Sequence, residues 1–163
     1  FLYFIGGSMA RSALLLLPLL CMCLAVTAQI PSCVHLLEEA EHDMQAARTA
    51  VEDAESYCNS AQQLEKCLSR IVQMQNLMNN ATQVITSAWT PCSHHTTTSC
   101  TSAFSNFVLN VWVNAPLNVT DATFPCLSIP FNATTCMDGL VKADSIWGVV
   151  EDRLGPVITT CAM

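Results

Sequence analysis

Acidic and imidazole side chains that can bind metal ions lie close together near residue 40. His35, Glu38, Glu39 and His42 occur at helical spacing, and the segment from Glu39 to His42 matches the Glu-x-x-His element of di-iron helical bundles. A buried two-metal site needs a second such element, which this sequence lacks. We therefore expect a solvated acidic surface on a helix, with a surface site for a divalent ion as the alternative.

Sulfur and imidazole groups occur together in a second segment. Cys92, His94, His95 and Cys100 have a spacing compatible with a zinc site, and the polar residues 96–99 indicate a surface loop. Because cysteines of exported proteins form disulfides, we expect both cysteines to be bonded to each other or to other cysteines. No metal ion or cofactor is predicted.

The sequence contains none of the common catalytic motifs. There is no Gly-x-Ser-x-Gly elbow, no phosphate-binding glycine loop and no His-Glu-x-x-His pair. An enzyme would have to bring His94 or His95 close to an acid and a hydroxyl nucleophile, and no pattern places such groups together. We predict a protein without catalytic residues.

Acidic residues outnumber basic ones, with 13 Asp and Glu against six Lys and Arg and a formal net charge of -7. Such a chain repels phosphate backbones and anionic lipids, which argues against nucleic-acid binding. Most of the acidic residues lie between Glu38 and Glu65. We predict that an extracellular protein or other macromolecule binds at Glu38, Glu39, Glu52 and Asp53.

The N-terminal segment predicts export from the cell. Arg11 precedes an apolar run at residues 13–26, and Val26-Thr27-Ala28 resembles a cleavage site. The predicted division is a leader at residues 1–8, a signal peptide at Met9–Ala28 and one cysteine-rich helical domain at residues 29–163. A membrane anchor over residues 12–26 is the alternative; no later stretch approaches the roughly 20 apolar residues that a span needs.

Eight cysteines remain in the secreted, extracellular chain that this cleavage predicts. They are Cys33, Cys58, Cys67, Cys92, Cys100, Cys126, Cys136 and Cys161. An even number in an exported chain predicts four disulfides. The Asn-x-Ser/Thr sequons at Asn80, Asn118 and Asn132 predict N-glycosylation of at least one site.

The spacing of these cysteines divides the chain into four units. The numbers of residues between successive cysteines are 24, 8, 24, 7, 25, 9 and 24, so each unit begins and ends with a cysteine. In the first unit an apolar stripe from Cys33 to Cys58 predicts a long helix capped by Ser32. In the second, a capping box at Ser60 opens another long helix, which Pro91 is expected to end.

The third and fourth units carry weaker helix patterns. Ser99 is a possible cap for a short helix, after which Pro116 and Pro125 predict a loop. One face of that helix is Cys100, Phe104, Phe107 and Val111. The fourth unit has a possible cap at Thr135 and an apolar stripe, and Gly155-Pro156 predicts its end.

Four such units predict an all-α protein, a disulfide-stapled up-down-up-down four-helix bundle with a loop-rich third unit. This topology places Cys58, Cys67, Cys126 and Cys136 at one end and Cys33, Cys92, Cys100 and Cys161 at the other. Bridged cysteines have α-carbons within about 6 Å, so only cysteines at the same end can pair. Three pairings at each end leave nine possible connectivities.

Sulfur-containing and aromatic residues of the predicted helical domain suggest a second function. They are Met44, Met74, Met78, Phe104, Phe107, Trp112 and Trp147. Core packing is the favoured interpretation. The alternative is a pocket in which the bundle carries a small apolar ligand.

The segment from Cys58 to Leu68, preceded by a helix that opens at Cys33, resembles a secreted helical domain of unknown function that is expanded in nematodes and other invertebrates. The likeness covers the first two units. It implies an extracellular, non-catalytic module and supplies no site residues. Insect odorant-binding proteins are also small, acidic and disulfide-linked, but they place two cysteines three residues apart, and this sequence has no such pair.

Overall fold

A computed structural model of the chain describes residues 32–163; the predicted leader and signal peptide lie outside them. Five α-helices follow one another: α1 (Cys33–Tyr57), α2 (Leu64–Ser93), α3 (Thr98–Phe107), α4 (Ala115–Thr123) and α5 (Ala133–Ala162). Between them lie a 3-10 helix at Ala61–Gln63, a π-helical turn at Val108–Trp112 and a 3-10 helix at Phe124–Leu127. The described residues contain no strand, and the predicted all-α class is confirmed.

Helix α1 combines an N-cap with an uninterrupted apolar stripe. The Ser32 side chain accepts a hydrogen bond from the His35 backbone N–H at 3.2 Å, as predicted for this cap. Apolar residues from Cys33 to Ala54 recur every three or four positions and are buried. The predicted long first helix is confirmed.

Helix α2 begins after a short 3-10 turn. Ser60 accepts a hydrogen bond from the Gln62 N–H at 3.2 Å, whereas a capping box would use the N–H of Gln63. Because residues 61–63 form a 3-10 helix, which is wound more tightly than an α-helix, the capping hydrogen bond comes from the N–H one residue before the predicted one. The apolar stripe at residues 67–88 is buried as predicted.

Two prolines that were expected to end helices lie inside them instead. Helix α2 continues past Pro91 to Ser93, and α5 continues past Gly155-Pro156 to Ala162. A proline inside a helix costs about 3 kcal/mol. Beyond each proline the next turn carries a buried cysteine, Cys92 or Cys161, and the disulfides of these two cysteines offset that cost.

The third unit opens with the predicted short helix, α3. The residue at its N-cap position is Thr97 rather than Ser99, and its side chain makes no capping bond. The segment after α3, predicted as a loop, forms the π turn, α4 and a 3-10 helix. Pro116 is the second residue of α4, and Pro125 is the second residue of the 3-10 helix that follows it. At such positions a missing N–H costs no helical hydrogen bond.

The π turn changes which side chains of the third unit face the core. It is closed by a hydrogen bond from the Val113 N–H to the Val108 carbonyl at 3.0 Å, which adds one residue to the helical turn. Trp112 is therefore buried, while Val111, predicted to face inward, is only partly buried.

Helix α5 begins three residues earlier than predicted. The cap is Asn132, whose Oδ1 accepts hydrogen bonds from the backbone N–H groups of Thr134 and Thr135 at 3.0 and 3.2 Å. Thr135, predicted as the cap, is instead the third helical residue, and its hydroxyl donates to the Asn132 carbonyl. An asparagine caps better than a threonine, so the earlier start is favoured.

Four disulfides staple the bundle. They are Cys33–Cys92, Cys58–Cys67, Cys100–Cys161 and Cys126–Cys136, with α-carbon separations of 4.9, 4.9, 4.6 and 4.4 Å. All four join cysteines of the same predicted end, so the pairing is one of the nine expected connectivities. The bridges join helix ends as antiparallel neighbours require; the complete up-down-up-down order stays a prediction.

The bridges define two covalent hairpins. The first hairpin contains α1 and α2 and is closed by Cys33–Cys92 and Cys58–Cys67; the second runs from α3 to α5 and is closed by Cys100–Cys161 and Cys126–Cys136. The cysteines that divide the chain into four units therefore also divide it into two hairpins, each made of two successive units. Among residues 32–163, no disulfide links the hairpins, so side-chain packing holds them together.

The core between the hairpins contains a few large side chains and many alanines. Met44, Phe104, Leu140 and Trp147 are fully buried. Helices α1, α2, α4 and α5 also contribute buried alanines to this core. Because alanine buries little area, the disulfides contribute a large share of the stability, each about 2 to 4 kcal/mol.

Candidate functional site

The four acidic residues predicted to bind a partner lie on α1, and we call them the acidic face (Glu38, Glu39, Glu52 and Asp53). All are at least partly exposed. The buried stripe of α1 faces the other helices, and the acidic face lies outside that stripe. With a rise of about 1.5 Å per residue, the acidic face extends about 22 Å along the helix.

The two ends of the acidic face differ in their ion pairing. Glu38 and Glu39 are exposed, and none of the ion pairs found in residues 32–163 includes them. Glu52 lies 3.6 Å from the Arg48 Nε, and Asp53 lies 3.4 Å from Arg70 Nη2 of the second helix. The N-terminal pair therefore presents the more available negative charge.

Arg48 is the only basic residue of α1, and it is turned toward α5. Its Nε donates to Asp144 Oδ1 and its Nη1 donates to Glu151 Oε2, both at 2.8 Å. These hydrogen bonds, with Asp144 contributing first, raise the pKa of Arg48. The contact joins the two hairpins, and within the acidic face Arg48 pairs with Glu52 and not with Glu38 or Glu39.

Carboxylates outnumber cations on the side of the molecule where α1 meets α5, and Glu55 lies among them. Its pKa is raised by burial first, then by the charges of Asp144 and Glu52. Helix α1 carries seven carboxylates and a single arginine, and α5 adds Asp144 and Glu151 beside that arginine. A cation approaching this side is attracted by the uncompensated charge.

The histidines near the acidic face do not converge with its carboxylates among residues 32–163. His35 and His42 are exposed. Within residues 32–163, the only trios of ligand atoms lying within 4.8 Å of one another are sulfurs of disulfide cysteines. His35, Glu39 and His42 are therefore not brought together as a surface ion site requires.

The histidines of the loop between α2 and α3 are similarly separate from acids. The His95 Nδ1 lies 3.0 Å from the Thr97 hydroxyl and also accepts a hydrogen bond from the Thr97 backbone N–H. These bonds hold the loop, and within the described residues no carboxylate hydrogen-bonds to His95. The neighbouring Cys92 and Cys100 are bonded to bundle partners, as expected.

The predicted glycosylation sites are all accessible. Asn80, Asn118 and Asn132 are exposed, on α2, on α4 and at the cap of α5. Asn132 caps through Oδ1, so its amide nitrogen, the atom that carries an N-glycan, is not used by the cap. None of the three lies on α1.

Clefts border the π turn on both sides. A groove of about 750 Å³ between the π turn and α5 includes Phe107, Val149 and the charged Asp152 and Arg153. A second cleft of about 340 Å³ lies between α2 and the π turn and is largely apolar; we call it the apolar cleft. Its lining includes Ile85, Trp89, Val108, Trp112, Val113 and Pro116.

Most of the residues predicted to line a ligand pocket are core residues. Met44, Met74 and Trp147 are fully buried, whereas Trp112 lines the apolar cleft and Phe107 lines the groove. Two features of the apolar cleft were missed: the half-exposed Trp89 and the π turn. The step of five residues from Phe107 to Trp112 is the signal that could have revealed the π turn.

No helix within residues 32–163 has the length and apolar content required to cross a membrane. Comparisons with protein-family models, with curated proteins and with solved structures find no match to this chain. The resemblance to the invertebrate secreted domain stays a prediction.

Proposed function

We propose that the protein is a secreted, non-enzymatic glycoprotein that binds an extracellular macromolecule through the acidic face. The observation that carries this proposal is the pair Glu38 and Glu39, exposed and without ion pairs among the described residues. The partner is basic, because opposite charges favour both encounter and orientation.

The size of the acidic face supports a macromolecular partner over a small ion. A separation of about 22 Å between the ends of the face exceeds the reach of one small cation, and the carboxylates do not converge on a point. Four disulfides are compatible with an extracellular protein. None of the three sequons lies on α1, so no glycan is predicted to be attached to the helix that carries the acidic face.

The test compares two charge-reversed variants of equal net charge. Glu38→Lys with Glu39→Lys alters the unpaired end of the acidic face. Asp121→Lys with Asp138→Lys is the control, because both aspartates are exposed on α4 and α5. Immobilised wild-type protein and both variants are incubated with the native secretion, and retained polypeptides are identified by mass spectrometry.

We expect the wild-type protein and the control to retain the same basic polypeptide, and Glu38→Lys/Glu39→Lys to lose it. Raising the salt concentration to 1 M, where charges are screened within about 3 Å, should release it. Equal retention by both variants, or retention that ignores salt, contradicts the proposed surface.

A second candidate function, the carriage of a small apolar ligand, rests on the apolar cleft. Thr82 and Thr86 also line it, and their hydroxyls donate to carbonyls of α2 at 2.8 and 2.7 Å. Their hydrogens are therefore already bonded, and the cleft offers a ligand mainly apolar surface. Its volume lies at the lower end of the range for small-molecule sites.

A neutral naphthylamine dye tests this candidate by its fluorescence. Val113 lines the apolar cleft and Val141 lies on α5 outside it, and both are 59% exposed. Val113→Arg should abolish saturable dye binding, while Val141→Arg should leave it unchanged. Equal behaviour of the two variants, or binding that never saturates, would exclude a carrier function for this cleft.

A further inference from the structure

Each end of the bundle gathers four cysteines in a small volume. The Cys33 cluster consists of Cys33, Cys92, Cys100 and Cys161, and the Cys58 cluster consists of Cys58, Cys67, Cys126 and Cys136. In each cluster three sulfurs from two different bridges lie within 4.8 Å of one another. The fourth sulfur is bonded to one of these three, so it is also close.

In the Cys33 cluster, one distance between sulfurs of different bridges matches the spacing in a tetrahedral metal site. The sulfurs of Cys33 and Cys100 are 3.8 Å apart. A tetrahedral zinc ion with Zn–S distances of about 2.3 Å separates its sulfurs by about 3.8 Å. Reduction allows the bonded sulfurs to move apart, and all eight cysteines are already shielded from solvent.

The helix ends favour thiolates at half of these positions. Cys33 and Cys100 lie in the first turns of α1 and α3, where the positive end of the helix dipole stabilises negative charge. Cys67 and Cys136 lie in the first turns of α2 and α5. The remaining cysteines lie near C-terminal helix ends or in the 3-10 helix, so the charge of the metal must stabilise their thiolates.

We propose that the reduced chain binds two Zn²⁺ ions, one in the Cys33 cluster and one in the Cys58 cluster, each through four thiolates. A trialkylphosphine supplies the electrons: each disulfide takes up two electrons and two protons to give two thiols, and the phosphine becomes a phosphine oxide with oxygen from water. Each zinc ion then displaces four thiol protons.

Zinc binding changes how the hairpins are connected. Each disulfide joins cysteines of a single hairpin, whereas each zinc ion has ligands from both hairpins. The same eight cysteines would therefore stabilise the fold under oxidising conditions as bridges and under reducing conditions as two metal centres. This proposal is independent of the proposed binding function.

The experiment uses the mature chain, reduced with phosphine without oxygen and mixed with ZnCl₂. Metal content after desalting is measured by plasma mass spectrometry, helix content by circular dichroism, and free thiols by alkylation. We expect two Zn²⁺ per chain, a helical signal matching that of the oxidised protein, and protection of all eight thiols.

Three variants assign the ligands. Cys33→Ser/Cys100→Ser and Cys58→Ser/Cys126→Ser should each lower the zinc content from two ions to one. His94→Ala/His95→Ala should retain two ions, because the loop imidazoles are not ligands. Fewer than two ions in the parent chain, zinc held by a chain that stays unfolded, or loss of zinc in the histidine variant would overturn the proposal.

Discussion

At the scale of single residues, Arg48 makes the ionic contact between the two hairpins. Its guanidinium bonds Asp144 and Glu151 at 2.8 Å each, and the three side chains are 35%, 31% and 21% exposed. Replacing Arg48 by Met keeps the aliphatic packing but leaves these carboxylates without a cation. We expect Arg48→Met to lower the free energy of unfolding by about 1 kcal/mol, as measured by urea denaturation.

Arg153 provides the matched control for this prediction. It is exposed on α5, and no ion pair found in residues 32–163 includes it. Arg153→Met should therefore change stability by less than about 0.5 kcal/mol. A double-mutant cycle of Arg48→Met with Asp144→Asn should show coupling; equal losses for both arginine variants and no coupling would contradict the role of Arg48.

Glu55 predicts a dependence of stability on pH. Because its pKa is raised, the folded chain holds this proton more tightly than the unfolded chain. The stabilising contribution of Glu55 is fully present at pH values below its ordinary pKa. It is lost as the pH rises through the raised pKa of the folded state. At neutral pH, Glu55→Gln should therefore be more stable than the wild-type protein, by about 0.5 kcal/mol or less since the side chain is partly exposed.

Urea denaturation at a series of pH values from acid to neutral measures this difference, which should shrink toward acid pH. Since Asp144 is the second cause of the raised pKa, the gain from Glu55→Gln should be smaller in a chain that carries Asp144→Asn. A difference that is constant with pH would show that the substitution acts through packing rather than charge.

At the scale of helices, Gly139 allows α4 and α5 to approach closely. A β-carbon at this position would overlap the carbonyl oxygen of Ala122. Glycine to alanine in a helix ordinarily stabilises by up to about 1 kcal/mol, but here the helices must separate. We expect Gly139→Ala to lower the free energy of unfolding by about 1 to 3 kcal/mol in thermal or urea denaturation.

Gly148 of the same helix tests whether this loss comes from the contact. A β-carbon there would meet Arg48 Nη1 at 4.0 Å, an ordinary contact distance. Gly148→Ala should therefore stabilise the protein by up to about 1 kcal/mol. Opposite signs for the two substitutions support the close approach of α4 to α5, and a gain in stability at both positions would rule it out.

The long helices could be predicted from the sequence because local signals and burial agree in them. In α1 the cap at Ser32 and an apolar stripe without Gly or Pro both favour one helix. The continuation past Pro91 and Pro156 could not be predicted, because local preference opposes it and distant bridges override that preference. The π turn was missed because a strict period of 3.6 residues has no place for an additional residue.

The candidate site was predictable only in part, for a similar reason. The exposed character of Glu38 and Glu39 follows from the period of α1. The pairing of Asp53 with Arg70 and of Arg48 with Asp144 depends on how helices distant in sequence pack. The apolar cleft has the same origin, since Trp89 and Trp112 come to line one cleft only in the folded bundle.

Within residues 32–163, the disulfides close two hairpins without joining them. The bridges Cys33–Cys92 and Cys100–Cys161 span 59 and 61 residues, and inside them Cys58–Cys67 and Cys126–Cys136 span 9 and 10. Of the nine connectivities that the predicted topology allows, this is the only one in which no bridge crosses between hairpins. The loop at residues 94–97 is then the only covalent link between them within the described chain.

Cutting this loop tests the connectivity directly. A protease site inserted between His95 and Thr96 lies outside the helices. After cleavage, the two hairpins should elute together in gel filtration, because packing and Arg48 hold them. They should separate into two bands on a denaturing gel without reductant, and the uncut protein should give one band. Each of the other eight connectivities has at least one bridge between hairpins, so a single band after cleavage would establish one of those instead.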